Sequence, residues 1–209
     1  MASVTIDAHT SVVASQPVTG RRRELLDAAV RVVAGGGLRS LTHRAVDAEA
    51  GVALGSTSTY YRTRIALLTA LTTHVSWLLT QRIEVAASRI ATIDEPEDDV
   101  RIARIVDEVV RLLVGHVSES DLVGVQAELG LESVRTPELM PLFAHWRVRL
   151  VGMVGQIGAA VSSQHAAERA EITVAAFQGV LTSALPRPRE ERAAYVERAT
   201  RQLIEVLRA

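Results

Sequence analysis

Residues 42–61, THRAVDAEAGVALGSTSTYY, decide the fold because they contain two short helical stretches around the tripeptide Ala50-Gly51-Val52. Thr42 suits the N-cap of the first stretch, since its hydroxyl can accept an orphan backbone N–H. Gly51 suits a tight turn because it takes a positive φ without a Cβ clash. Val52 is expected to be buried directly after the turn. Together these features predict a helix-turn-helix.

The segments on either side of this motif also show helical periodicity. Residues 21–34 place apolar side chains at helical spacing, and the run of glycines at 35–37 predicts the end of that helix. Period-2 strand patterns are missing from the chain, so we expect an all-α fold of about nine helices. The predicted helices lie at about 21–34, 42–49, 54–61, from 64 onward, 98–118, 121–134, 136–163, 166–185 and 190–207.

The charge of the chain is unevenly distributed. All 23 basic residues are Arg, and there is no Cys, which excludes disulfides, thiolate nucleophiles and Schiff-base lysines. The net charge of the whole chain is −1. Residues 1–70 nevertheless hold eight Arg against five acids, a charge of +3, and the remainder carries −4. This asymmetry predicts a basic N-terminal module attached to an acidic body.

The ends and apolar tracts of the chain lack targeting features. Residues 1–20 show neither a signal-peptide pattern nor a sustained period, so we expect a disordered N-terminal arm. The longest apolar tract, 150–161, is shorter than the ~20 residues that a membrane span needs. We therefore expect a cytoplasmic protein without a membrane partner. Hydrolase, zinc-protease and phosphate-loop motifs are missing and the six His are scattered, so no enzyme, metal site or cofactor is predicted.

The second helix of the motif has the chemistry of a DNA-reading surface. Residues 55–61 are small, rich in hydroxyl groups and uncharged. The major groove of B-DNA, about 12 Å wide, admits one α-helix. In a helix-turn-helix the second helix enters this groove while the first crosses the backbone. Thr42, His43 and Arg44 open the preceding helix, where their side chains and backbone N–H groups suit a phosphate.

Residues 21–71 resemble the DNA-binding domain of the TetR family of bacterial transcriptional regulators. Some positions depart from the family pattern: Ala53 replaces the usual Ser or Thr helix cap, and Leu54, Ser58, Tyr61 and Arg64 also differ from the common residues. The operator sequence therefore cannot be transferred from relatives. The matching elements are Leu25-Leu26-Asp27-Ala28-Ala29, Leu41-Thr42-x-Arg44, Ala50-Gly51-Val52, Gly55-Ser56, Tyr60-Tyr61 and Thr63-Arg64-x-x-Leu67-Leu68.

The resemblance implies a helix-turn-helix DNA-binding domain at 21–66 and a helical ligand-binding and dimerisation domain at 67–209. Tyr61 is expected to pack against the first helix. The alternative for Thr42 is a purely capping role, and for Arg64 a solvated helix start. The implied base-edge contacts are Leu54, Gly55, Ser56, Ser58 and Thr59, and the implied phosphate contacts are Thr42, His43, Arg44, Tyr60 and Arg64.

The last two helices are the expected homodimer contact. Ala175, Ala176, Gly179 and Ser183 form a small-residue face that allows close helix approach. Two copies of the pair would make an isologous four-helix interface, and two recognition helices would read a palindromic operator. The alternative is that the same stripes pack inside a monomer.

A small-molecule effector is expected among the body helices, where four of the seven aromatic side chains lie. The polar candidates nearby are chemically mixed, which favours an apolar ligand with a few polar groups. Glycines at 152, 155 and 158 make room either for this ligand or for a neighbouring helix. The candidate ligand-binding residues are Trp77, Gln126, Phe143, Trp146, Arg147 and Phe177.

The function predicted from sequence is a DNA-binding transcriptional regulator, a repressor released from its operator by the effector. Two alternatives come from other classes of protein. One is an all-helical enzyme with its site in the body. The other is a small-molecule-binding interaction protein in which the helix-turn-helix serves only as a packing unit.

Overall fold

The computed structural model describes residues 19–118, 121–161 and 166–208. Within these residues the fold consists of nine α-helices and a short 3-10 turn, and no strand is present. Residues 1–18 of the predicted N-terminal arm lie outside the described residues. The helices are α1 (Arg21–Ser40), α2 (His43–Glu49), α3 (Ser56–Tyr60), α4 (Arg64–Ala91), α5 (Asp98–Ser118), α6 (Leu122–Ser133), α7 (Met140–Val161), α8 (Ala166–Ala184) and α9 (Arg189–Arg208), and the turn is Pro137–Leu139.

The first helix breaks inside the run of glycines that was predicted to end it. The backbone leaves helical geometry at Gly37, with φ 70° and ψ 177°, which is slightly later than the predicted last residue, 34. The Ser40 hydroxyl lies 2.9 Å from the Val32 carbonyl oxygen and 2.7 Å from that of Gly37, and so supplies a donor to the final turn. This local partner compensates for the low helix propensity of the two preceding glycines.

The helix after the turn is shorter than predicted. It begins at Ser56 rather than residue 54, because Gly55 adopts a left-handed conformation with φ 93°. The carbonyl of Ala53 accepts hydrogen bonds from the Ser56 backbone N–H at 3.1 Å and from its hydroxyl at 2.6 Å. Leu54 and Gly55 therefore belong to the turn. The predicted cap at Thr42 is confirmed: its Oγ1 accepts the Ala45 N–H at 3.1 Å.

One continuous apolar cluster joins the first helices to the body. Leu25 and Leu67 are fully buried in it, and Tyr61 is buried as expected, whereas Val52 is only half-buried. The cluster continues into α6 and α7 through Leu129 and other side chains. The domain boundary at residue 66 stays a prediction, because α4 and α6 share this core with α1.

A second apolar cluster lies among α5, α8 and α9, and includes Leu113, Ala184 and Val196. In the body, α7 packs against α8 and α5 packs against α9. A cavity lies among α4, α5, α6, α7 and α8. None of the described helices is long and apolar enough to cross a membrane.

Candidate nucleic-acid interface and internal cavity

The recognition helix α3 is capped from outside its own sequence. Asp47, on α2, is 1% exposed, and its Oδ1 accepts the Thr57 N–H at 2.7 Å and the Thr57 hydroxyl at 2.6 Å. Its Oδ2 accepts the Gly55 N–H at 2.7 Å. One buried carboxylate thus satisfies donors at the start of α3 that Ala53 cannot bind. This bond network fixes α3 on α2.

The ionised form of Asp47 is stabilised in the fold. Burial alone would raise its pKa, but the hydrogen bonds from the Thr57 hydroxyl, the Thr57 N–H and the Gly55 N–H, with a smaller contribution from His43, hold the pKa below its usual value. Asp47 was not predicted as a site residue. Its position beside Val46, among the apolar positions of α2, is the only feature of the sequence that signals it.

The positions predicted to contact base edges lie at or near the surface. Leu54 is 73% exposed, Gly55, Ser58 and Thr59 are exposed, and Ser56 is half-buried. The hydroxyls of Ser58 and Thr59 both donate to the Gly55 carbonyl, at 2.9 and 3.1 Å. With the hydroxyl hydrogens engaged in this way, the oxygens keep lone pairs that can accept a hydrogen bond from outside the helix.

The predicted phosphate contacts lie on both sides of α3. Thr42 and Arg44 are exposed at the start of α2. The His43 Nε2 donates to the carbonyl of Tyr61, which ties this region to the end of α3. Tyr60 is 40% exposed, and the guanidinium of Arg22 lies 5.6 Å from the centre of its ring. The structure therefore brings α2, α3 and the start of α1 together around one exposed surface.

Arg64 has an additional structural role. Its guanidinium donates to the Leu41 carbonyl and, at 2.9 Å, to the Leu38 carbonyl. These bonds connect the first residue of α4 to the segment that follows Gly37. The guanidinium has five N–H donors, so others remain for an external acceptor.

The carboxylates of the N-terminal helices all have partners. Glu24 pairs with Arg21 and Glu49 with Arg31, and Asp47 is buried as described. Asp27 pairs with Arg23 at 3.7 Å and lies 2.7 Å from Nε2 of His74 on α4. Among the described residues, no carboxylate forms an ion pair with the five other arginines of this unit. These cations are Arg22, Arg39, Arg44, Arg62 and Arg64.

The body contains a cavity of about 110 Å³. Its walls are mainly apolar, with Leu79 and Ile83 from α4, Leu150 from α7 and Leu181 from α8. No Asp, Glu or Arg is found among the described residues that line it. The polar lining residues are His116, Gln126, Trp146, Gln178 and Thr182.

Three of the six predicted ligand-binding residues line this cavity: Gln126, Trp146 and Phe177. The other three lie elsewhere. Trp77 stacks on His74 with ring centres 6.3 Å apart, and Phe143 packs in the main apolar cluster. Arg147 is directed to Gln178 and Glu171, with donor–acceptor distances of 3.2 and 3.5 Å. His116 and Thr182 were not predicted, because helical periodicity cannot distinguish a cavity wall from packed core.

In the described part of the chain, Gly152 faces neither a ligand site nor a neighbouring helix, which were the two predicted reasons for glycine at this position. A Cβ built on Gly152 meets no atom within 4 Å, so among the described residues this position makes room for neither ligand nor helix. The small-residue face of α8 is similarly open. Ile172 is 65% exposed, Ala175 is exposed, and a Cβ on Gly179 would meet nothing within 4 Å.

A direct contact joins the body to the end of α1. The Oε2 of Glu128, on α6, accepts the Leu38 N–H at 2.8 Å. A Cβ at Gly37 would lie 3.2 Å from the same oxygen, and φ at Gly37 is positive. The positive φ therefore favours glycine at position 37, and a side chain there would also push the Glu128 carboxylate slightly away. Since Gln126 of the same helix lines the cavity, α6 touches both regions.

Comparison with known proteins agrees with this architecture. Residues 100–206, about half of the chain, match the family described as tetracyclin repressor-like, C-terminal domain. The chain belongs to the TetR family. This assignment confirms the resemblance carried by the N-terminal motifs and the predicted all-α fold, and TetR-family proteins are DNA-binding transcriptional regulators.

Several solved structures resemble the whole chain. A TetR family member from Streptomyces coelicolor A3 is 28% identical, with a TM-score of 0.59, and the match covers 86% of this chain and 98% of that one. The multidrug binding protein EbrR in complex with ethidium is 29% identical, with a TM-score of 0.54 and coverage of 86% and 98%. A transcriptional regulator from Rhodococcus sp. Rha1, 18% identical with a TM-score of 0.65 and coverage of 87% and 92%, shares the fold. No curated protein sequence matches the chain.

Proposed function

We propose that this protein is a homodimeric repressor that binds a palindromic DNA operator through α3 and releases it when a small molecule occupies the body cavity. It acts in the cytoplasm, as a binding protein rather than an enzyme. The observation that carries the proposal is the Asp47-capped α3, which presents exposed hydroxyl-bearing residues beside arginines without carboxylate partners. This combination of a small, groove-compatible helix and unpaired cations suits a duplex.

The contacts divide into two classes. Leu54, Gly55, Ser56, Ser58 and Thr59 are proposed to meet base edges, because α3 and the turn before it present them at the surface. The flanking side chains are proposed to meet phosphates, which position the protein without reading sequence. This second group consists of Thr42, His43, Arg44, Tyr60 and Arg64.

A dimer is proposed because one short α3 reads too few base pairs. Two recognition helices that enter successive major grooves must lie about 34–36 Å apart. The exposed face of α8, with Ile172 and Gly179, is apolar and sterically open, and Val206 adds an exposed apolar side chain on α9. A second copy packed on this face would bury it in an isologous interface.

Release is proposed to follow from the limited size of the cavity. At about 110 Å³ it is smaller than a typical drug-sized site of about 300–1,000 Å³, so a larger ligand must push helices apart. Two connections carry such a displacement to the DNA-binding unit. One is α6, through Glu128 and Leu38, and the other is α4, which lines the cavity with Leu79 and holds the end of α1 through Arg64. A ligand that binds the displaced state better shifts the equilibrium away from DNA.

The proposed DNA binding is tested with duplexes selected from a random library and measured by fluorescence anisotropy over a range of salt concentrations. We expect the logarithm of the affinity to fall linearly with the logarithm of the salt concentration, because phosphate contacts release counterions. Arg44→Ala should weaken binding to all duplexes and reduce the slope by about 1. Arg135→Ala is the matched control, since that side chain is 75% exposed and lies two residues beyond the end of α6. If the library yields no bound duplex, or if the affinity does not depend on salt, the interaction-protein alternative is favoured.

A further inference from the structure

The walls of the cavity restrict the charge of any molecule that enters it. No Asp, Glu or Arg lines it among the described residues. Arg147, which donates to the lining residue Gln178, also donates to Glu171, so its guanidinium is already engaged. An ionic group transferred into such a site loses hydration without gaining an opposite charge, which is strongly unfavourable. The lining therefore disfavours both organic cations and anions.

One polar group of the lining has an unmet requirement. Trp146 is 8% exposed, and its indole Nε1 is buried without a hydrogen-bond partner among the described residues. An indole N–H is only a donor, and a buried donor without an acceptor is unfavourable. Trp146 is part of the cavity wall, so a bound molecule can supply the missing acceptor.

The other polar side chains of the wall are partly engaged. The Oε1 of Gln178 accepts from Arg147 at 3.2 Å, which leaves its amide NH₂ as a donor. The Nδ1 of His116 donates to the Leu112 carbonyl at 2.7 Å. The Thr182 hydroxyl donates to the Gln178 carbonyl at 2.9 Å. The wall therefore offers hydrogen-bond donors to a ligand through Trp146 and Gln178, and the side-chain amide of Gln126 adds both a donor and an acceptor.

From these observations we infer that the effector is an uncharged, mainly apolar molecule that carries a hydrogen-bond acceptor such as a carbonyl, and that Trp146 donates to this acceptor. The inference rests on the proposed function, because it names the ligand class of the same cavity. The inferred ligand class differs from the ethidium and malachite green of two solved EbrR complexes, and EbrR has also been solved with imidazole. An apolar cavity of about 150 Å³ is known to bind benzene, so a single ring is an appropriate probe size here.

The test uses four single-ring probes of similar size with the full-length protein: acetophenone, ethylbenzene, benzylammonium and benzoate. Their affinities are measured by isothermal titration calorimetry. We expect acetophenone to bind most tightly and ethylbenzene, which lacks an acceptor, to bind about two- to tenfold more weakly. The two ions should bind at least about tenfold more weakly than acetophenone. Equal or tighter binding of benzylammonium or benzoate overturns the inference, and the benzoate result also reveals any recognition of an anion by His116.

A matched pair of variants locates the donor. Trp146→Phe keeps an aromatic ring and removes the N–H, so the preference for acetophenone over ethylbenzene should fall below about twofold. Trp77→Phe is the control, because Trp77 stacks on His74 away from the cavity, and it should keep the preference. An unchanged preference in a folded Trp146→Phe protein overturns the role of Trp146. The four-probe comparison on the unaltered protein decides the ligand class even where this variant does not fold.

The failure of this inference and that of the proposed function give different results. DNA binding is measured by anisotropy without a probe and again with each probe at saturation. If the ions bind best and release DNA, the ligand class is wrong and the proposed regulation stands. If acetophenone binds best, but neither it nor the larger two-ring ketone benzophenone at saturation changes the affinity for DNA, the proposed release is wrong and the ligand class stands.

Discussion

Replacing Asp47 should destabilise the DNA-binding unit more than any other single loss of charge in it. In Asp47→Asn the remaining oxygen can still accept from Thr57, but an amide NH₂ then faces the Gly55 N–H, which now lies 2.7 Å from Oδ2. Leaving one such donor unsatisfied costs about 1–3 kcal/mol. Asp47→Ala removes all three acceptor contacts, and we expect a cost of about 3–5 kcal/mol.

These free energies translate into measurable melting temperatures. For a chain of this size, 1 kcal/mol shifts Tm by about 2–4 °C. Circular dichroism should therefore show a decrease of about 5 °C for Asp47→Asn and about 10 °C for Asp47→Ala. Glu171→Gln is the control, because it removes the same charge from a side chain that is 72% exposed and should change stability by less than about 0.5 kcal/mol.

The effect of Asp47 should also depend on pH. Its pKa is lower in the folded protein than its usual value of about 3.9, so the carboxylate contributes stability above that value. This contribution is lost as the pH falls through the folded-state pKa. The free energy of unfolding, measured with urea between pH 7 and pH 3, should therefore differ most between the unaltered protein and Asp47→Asn at neutral pH. This difference should become smaller in acid. Equal stabilities at pH 7, or a gap that does not change with pH, would refute the capping role.

Three further outcomes are expected. Ser58→Ala should change which duplexes are selected from a random library while leaving the salt slope unchanged, and a lower slope would assign Ser58 to phosphate contact instead. Glu128→Gln weakens the acceptor for the Leu38 N–H and should reduce the release of DNA by a saturating probe several-fold. The affinity for the probe, measured by calorimetry, should not change. Undiminished release would exclude this contact as the connection between the cavity and the DNA-binding unit. Ile172→Asp should shift the protein to monomer in analytical ultracentrifugation and lower operator affinity at least about tenfold. Val148→Asp, at a similarly exposed apolar residue of α7, should change neither the oligomeric state nor the operator affinity.

The sequence predicted the helices well where local chemistry determines them. The N-cap at Thr42 and the positive φ at Gly51 depend on residues within one turn of each other, and both are present. The glycine run was correctly predicted to break α1, but α1 continues past residue 34 and α3 begins later than residue 54. These bounds depend on a serine hydroxyl three residues beyond Gly37, and on a carboxylate that reaches α3 from α2. The periodicity of apolar residues along the sequence carries no information about either interaction.

The body was harder to predict than the motif. Residue type and position predict Gln126, Trp146 and Phe177 as ligand-binding residues, and these three line the cavity. The same criteria predict Trp77 and Phe143, which lie elsewhere, because an aromatic side chain on an inward helix face packs equally well in solid core. Whether a helix face meets a cavity depends on how five helices cross, and this geometry is set by packing across the whole body.

The contact between Glu128 and the backbone at Leu38 has an evolutionary consequence. On α6, Gln126 belongs to the wall of the cavity while Glu128 reaches the DNA-binding unit. Substitutions in the wall can therefore alter which compound is recognised without touching the residues that read an operator. A lineage of such proteins can acquire responses to new chemicals while it keeps control of the same genes, provided that the carboxylate at 128 and the glycine at 37 are retained.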